Sequence, residues 1–84
     1  MTILITYDVE RRYEDGDGAV RWEYLRGPQS RVAAEDYLDR MVARRSNAGQ
    51  TFRICEVTVD DKGTNGTDFV EVDRKVLTAL KVAS

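Results

Sequence analysis

Residues 3–24 read Ile3-Leu4-Ile5-Thr6-Tyr7-Asp8-Val9-Glu10-Arg11-Arg12-Tyr13-Glu14-Asp15-Gly16-Asp17-Gly18-Ala19-Val20-Arg21-Trp22-Glu23-Tyr24, and this stretch decides the fold. In its first arm Ile3, Ile5, Tyr7, Val9 and Tyr13 stand at odd positions; in its second Val20, Trp22 and Tyr24 stand at even ones. A period of two is that of a strand with one face turned to a core. The intervening Glu14-Asp15-Gly16-Asp17-Gly18 is a turn cluster whose glycines supply positive φ. Folding the arms about Gly16-Asp17 sets Tyr13 opposite Val20, Arg11 opposite Trp22 and Val9 opposite Tyr24. One face is then apolar and aromatic. The other carries Asp8, Glu10 and Arg12 against Arg21, Glu23 and Leu25, so the register is strongly specified.

The hairpin spans about residues 3–26, and Gly27-Pro28-Gln29 stops its second strand. Ser30 is a good N-cap for a helix over about 31–45, where Ala34, Tyr37, Leu38, Met41 and Val42 form one stripe. Acidic residues precede Arg40, Arg44 and Arg45, which suits the helix dipole, and Asp36 with Arg40 makes an i,i+4 pair. Asn47-Ala48-Gly49 supplies the stop. A third strand follows over about 51–59, with Cys55, Val57 and Val59 assigned to the main core and Phe52 and Ile54 to the second face. Asp60 to Thr67 reads as an exposed turn.

Two readings of the remainder compete. The preferred one is a short strand over 68–72, then a C-terminal helix over about 73–82 capped by Asp73 and carrying Val76, Leu77 and Leu80. The rival is one longer helix from Asp68, with Phe69, Val72, Val76 and Leu80 at helical spacing and Glu71 completing a capping box. Strand, helix and strand connect by a crossover that makes the third strand parallel to the second. Ile3-Leu4-Ile5 is apolar on both faces, as befits a central strand, which gives the order 2-1-3. The expected fold is therefore α+β, in one small domain over 1–84.

Composition excludes more than it identifies. With 84 residues there is room for one core. The formal net charge is −2 and the charges are mixed along the chain, so no acidic or basic tail stands out. There is no histidine, which rules out histidine acid–base chemistry and histidine metal ligands. The single cysteine, Cys55, reads as a buried, unactivated thiol. Asp15-Gly16-Asp17-Gly18 and Asp61-Lys62-Gly63-Thr64-Asn65-Gly66 resemble calcium loops faintly. The second has Val72 where a bidentate glutamate belongs, so both read as turns. No phosphate loop, dinucleotide fingerprint or nucleophile elbow is present, so no enzyme and no cofactor is expected. Neither a signal peptide nor a membrane span is legible, and a cytoplasmic location is the expectation.

Length points to a binding surface. About eleven residues of first strand span about 36 Å, whereas about fifteen residues of helix span about 22 Å. The helix cannot cover the whole sheet face, and the distal hairpin is expected to stay bare. There Arg11, Tyr13 and Trp22 make a candidate protein-binding site, with Asp15 and Asp17, beside Glu14, steering encounter. The plainer reading buries these rings as core. Arg40, Arg44 and Arg45 with the sheet aromatics make an alternative nucleic-acid patch, against the plainer reading of a solvated face. A third alternative is a structural homo-oligomer joined at the edge of the second strand.

The run Gly27-Pro28-Gln29-Ser30-Arg31-Val32-Ala33-Ala34-Glu35-Asp36-Tyr37-Leu38 lies after a hairpin and before an Arg53-Ile54-Cys55-Glu56-Val57 strand. It resembles small ββαβ proteins of actinobacterial phages and their hosts, over about residues 5–59. The resemblance implies the fold but no activity and no site residues. Small phage proteins of this size often act by binding a host protein, so it implies an accessory or inhibitory role. The expected function is a non-catalytic protein-interaction module.

Overall fold

The structure, a computed structural model, describes residues 2–61 and 69–83. The elements are β1 (Thr2–Glu14), β2 (Val20–Gln29), α1 (Arg31–Ala43), a 3-10 turn (Arg45–Asn47), β3 (Thr51–Asp61) and β4 (Phe69–Lys81). The fold is α+β: four antiparallel strands in the order β2-β1-β3-β4, with α1 against one face. The expected order 2-1-3 gives way to this four-stranded one, because the C-terminal segment adds a strand to the free side of β3.

That segment is the main correction: residues 73–82 form no helix. β4 is a single strand paired with β3 from Thr51↔Lys81 to Asp61↔Phe69. Its pairing slips once between Ile54 and Cys55 and once between Thr58 and Val59. Each slip leaves one extra residue on β4, Leu77 and then Val72, as a β-bulge does. The bulges break the two-residue alternation, so Val72, Val76, Leu77 and Leu80 fall at spacings that imitate a helix. Asp60 and Asp61, expected in a turn, instead end β3. Residues 62–68, with most of the second calcium-like run, lie outside the described residues.

The hairpin register is also corrected, by one residue. The pairs are Tyr13↔Arg21, Arg12↔Trp22, Arg11↔Glu23 and Glu10↔Tyr24. The Asp15 N–H donates to Ala19 O at 3.0 Å and the Gly18 N–H to Asp15 O at 2.9 Å, closing a loop of three residues rather than two. Gly18 takes the left-handed position, with φ 79°. Asp15 holds the loop: its Oδ1 accepts the N–H of Asp17 at 2.9 Å and of Ala19 at 3.1 Å. One residue of slip moves every side chain of the adjoining strand to the other face. Trp22 and Tyr24 consequently share a face with Glu10 and Arg12, not with Val9 and Tyr13. Two irregularities farther along β2 bring Arg26 opposite Val9 and Gln29 opposite Tyr7.

The helix forms where expected. The Ser30 side chain accepts the Ala33 N–H at 3.2 Å, and Ala34, Leu38 and Met41 are buried. The ion pair on its surface is Arg31–Glu35, in place of Asp36–Arg40. The core beneath it is Val9, Phe52, Ile54 and Val82, flanked by Tyr7, Leu25, Tyr37, Val42 and Leu80. Phe52 and Ile54 thus face the helix, while Cys55 and Val57 are buried on the opposite side, reversing the assignment made from sequence. The buried Asn47 amide closes the end of α1 by donating to Met41 O at 2.8 Å.

A Cβ at Gly16 or at Gly18 meets nothing within 4 Å, so comparing the two isolates the backbone effect. Gly18→Ala is expected to lose about 1 kcal/mol, a drop of about 4–8 °C in Tm for a domain of this size. Gly16→Ala should leave the melting curve nearly unchanged. Thermal denaturation followed by circular dichroism checks both.

Candidate functional site

Two regions stand out, one polar and one apolar. The polar one lies mid-sheet on the face away from α1. Asp8 and Glu10, on β1, are buried there beside Cys55 of β3. Arg74 lies opposite Val57 on β4 and reaches Asp8 Oδ2 at 3.0 Å, Glu10 Oε2 at 3.4 Å and Glu71 Oε1 at 2.7 Å. Arg53 Nε donates to Glu10 Oε1 at 2.7 Å, and its guanidinium stacks 3.9 Å from the Trp22 ring centre. Gly27 backs the cluster closely, since a Cβ there would collide with the Asp8 carboxylate. Among the described residues no helix lies on this face, and arginine stems and the Trp22 ring provide its cover.

This arrangement pairs two buried carboxylates with two guanidinium groups. Burial, reinforced by the Glu10 carboxylate 3.2 Å from Sγ, raises the Cys55 pKa and keeps it a thiol. A sealed thiol is a poor nucleophile and a poor metal ligand. Among the described residues no group of three or more Cys, Asp and Glu is placed to hold a metal ion. The Arg74 guanidinium holds the Glu71 carboxyl below its usual range, and Arg21 does the same for Asp15.

The residues singled out in the distal hairpin do not converge. Arg11 and Tyr13 lie on the α1 side of the sheet and Trp22 on the other. Arg11 pairs with Glu23 and touches Gln50 Oε1 at 3.4 Å, so it is not across from Trp22. Trp22 is half-buried under Arg53. The Asp15 carboxylate is engaged by the turn and by Arg21, while Asp17 is exposed at the tip. Arg40 sits 6.0 Å from the Tyr37 ring centre, which Arg26 also approaches at 5.3 Å. Arg44 and Arg45 are exposed at the end of α1. The helix arginines and the aromatics Trp22 and Tyr24 are on opposite sides of the sheet, so they form no common platform.

The apolar region is the end of the sheet beyond the start of α1. β2 leaves the sheet at Gln29, opposite Tyr7, and Ser30 starts the helix there. Thirteen residues of α1 span about 20 Å and thirteen of β1 about 43 Å, in a molecule 48 × 32 × 17 Å. The uncovered end therefore projects well past the helix. On the helix side Ile3 is 62 % exposed, Ile5 56 % and Val70 45 %. On the other side Leu4, 42 % exposed, lines a shallow pocket of about 240 Å³ with Thr6, Pro28 and Val59. Among the described residues, no strand pairs with β1 from Thr2 to Thr6 on the side away from β3.

The helix is shorter than the sheet, and both ends are left bare: Tyr13 and Val20 are exposed at the distal hairpin, and Ile3, Leu4 and Ile5 are exposed at the opposite end as well. Ile3-Leu4-Ile5 carries the signal for the second of these: apolar on both faces, it suits a central strand, but β1 lies between two strands only from Tyr7 onward. No sequence signal marked the Arg53–Glu10 and Arg74–Asp8 contacts, whose partners are 43 and 66 residues apart.

Comparison with protein-family models, with curated proteins and with solved structures returns no match.

Arg74→Ala leaves two buried carboxylates short of their partner, and a loss of about 3 kcal/mol is expected in urea unfolding. The same variant uncovers the neighbourhood of Cys55. Its reaction with a thiol reagent under native conditions should rise well above the near-zero rate expected of the parent protein.

Proposed function

We propose that this chain is a non-catalytic protein-interaction module that works through the apolar end of its sheet. The observation that carries the reading is the coincidence of bare apolar side chains on both faces, at Ile3, Leu4 and Ile5, with a backbone edge over Thr2–Thr6 that no described strand pairs on the side away from β3. Exposed apolar side chains that cluster mark interaction sites more than scattered ones do, and an open edge offers hydrogen bonds to an added strand. Ile3 and Ile5 on one face and Leu4 on the other stand on a strand already paired with β3, so this surface is formed before a partner arrives. A preformed patch loses little conformational entropy on binding.

Electrostatics argues against the nucleic-acid alternative. On the α1-free face the cations Arg12, Arg53 and Arg74 lie among Asp8, Glu10, Glu14 and Glu71, so the Trp22–Tyr24 face has no excess positive charge to attract phosphate. The distal hairpin has Asp17 exposed, but Arg11 and Trp22 are each engaged within the chain.

A photo-crosslinking side chain placed in turn at Ile5, Asp17 and Arg44 tests the assignment in extract of the cells that make the protein. Protein adducts are expected from position 5 and not from 17 or 44, and Leu4→Lys should abolish them. Adducts confined to position 17 would return the function to the hairpin tip. Nuclease-sensitive adducts at position 44 would favour nucleic acid and overturn the proposal.

A further inference from the structure

We infer that the occupant of the bare β1 edge is a second copy of this chain, joined by antiparallel pairing of Thr2–Thr6 about a two-fold axis at Leu4. The inference rests on reading that end of the sheet as the interaction surface, and it names the partner.

The first argument is the segment itself. Thr2-Ile3-Leu4-Ile5-Thr6 reads the same in both directions. Antiparallel pairing of two copies about Leu4 sets residue 2 opposite 6, 3 opposite 5 and 4 opposite 4. Every cross-strand pair is then like with like: threonine with threonine, isoleucine with isoleucine, leucine with leucine. Such a contact is isologous, as a two-fold dimer requires. Branched apolar residues in direct opposition are also favourable cross-strand partners.

The second argument is geometric. A two-fold axis between antiparallel strands of one sheet stands perpendicular to the sheet and keeps each side chain on its own face. It must pass between two copies of the same residue. An axis at Ile3 engages only part of the described edge. An axis at Ile5 drives the added strand into the place of Gln29, which already occupies the position opposite Tyr7. Only Leu4 uses the whole gap. With the axis there, Ile3 and Ile5 meet the partner's Ile5 and Ile3 on the helix side. On the other side the partner's Leu4 comes against Leu4, at the pocket that Thr6, Pro28 and Val59 also line. The two sheets continue into one of eight strands.

The third argument is the contrast among edges. The outer edge of β2 carries Arg21, Glu23, Arg26 and Pro28, and that of β4 carries Glu71, Asp73, Arg74, Lys75 and Lys81. Charge and proline on an edge strand resist pairing with another chain. Thr2–Thr6 has neither and is unbroken, whereas the uncharged run Val76–Leu80 on the edge of β4 is interrupted by the bulge at Leu77, which also resists pairing. This places the dimer on β1 and not on the second-strand edge considered from sequence.

Five ladder pairs make a small interface, so association is expected at micromolar concentration, and the test spans loadings from about 5 to about 500 µM. Sedimentation of the purified protein should show the mass rising from 9.6 kDa towards twice that value. Leu4→Lys, which opposes two charges at the axis, should remain at one chain throughout with an unchanged circular dichroism spectrum. Leu4→Cys should form a covalent dimer on mild oxidation, because directly opposed strand residues fall within disulfide reach. Val20→Cys, at the far end of the molecule, should not; Cys55 is buried and silent.

A parent protein that stays at 9.6 kDa across the range, with no bridge from Leu4→Cys, overturns the second copy. If position 5 still crosslinks to a different protein, the interaction surface survives and only the identity of its partner is wrong. If it crosslinks to nothing, both readings fail. Doubling of mass with a bridge from Val20→Cys alone also overturns the inference, by moving the dimer to the second strand.

Discussion

Ten consecutive pairs join β1 to β3, from Thr2↔Asp61 to Arg11↔Phe52, without a bulge. The other features of the fold are adjustments to this ladder. Because it is regular, the side chains of both strands keep their alternation along its whole length. Val9, Phe52 and Ile54 are thereby committed to the helix side, and Asp8, Glu10, Cys55 and Val57 to the other. The irregularities fall instead in β2 and β4, the outer strands, each of which slips twice against its neighbour. Bulges belong at edges, where a lost ladder bond is replaced by water and the added twist meets no further strand.

Elements whose signals are local were legible in the sequence. The helix is one: Ser30 caps it, its apolar stripe becomes the buried row Ala34, Leu38 and Met41, and its end is fixed a few residues later. The hairpin was equally visible as a hairpin. Its register was not, because the turn holds two glycines and the choice between Gly16 and Gly18 for the left-handed position is one residue of slip. The choice is made by Asp15, whose carboxylate gathers two backbone N–H groups and the Arg21 guanidinium. A side chain acting on its own turn, rather than the alternation of the arms, sets which face Trp22 occupies.

Non-local order was beyond local reading for a different reason. β4 owes its conformation to β3, and its bulges at Val72 and Leu77 erase the period that identifies a strand. Pairing partners decide strand formation more than intrinsic preference does. The charge cluster has the same origin. Asp8 and Glu10 looked like a solvated face because the residues that share their face along β1, Thr6 and Arg12, are polar. They are buried because Arg53 and Arg74 arrive from strands formed much later in the chain.

The bare end of the sheet follows from a single event, the departure of the chain at Ser30. Pro28 brings no N–H to a ladder, and Ser30 turns the backbone into α1 at the level of Tyr7. That one step ends β2 early and starts the helix late relative to β1. Among the described residues it leaves Ile3 and Ile5 without a helix above them and Thr2–Thr6 without a strand on the side away from β3. A segment apolar on both faces is suited to a place between two strands under cover. β1 has that place only from Tyr7 onward, and its first residues have the composition for it without the neighbour. A second such segment, run antiparallel, supplies the missing strand at the same level and with matching side chains, which is why the proposed dimer completes the sheet instead of merely adhering to it.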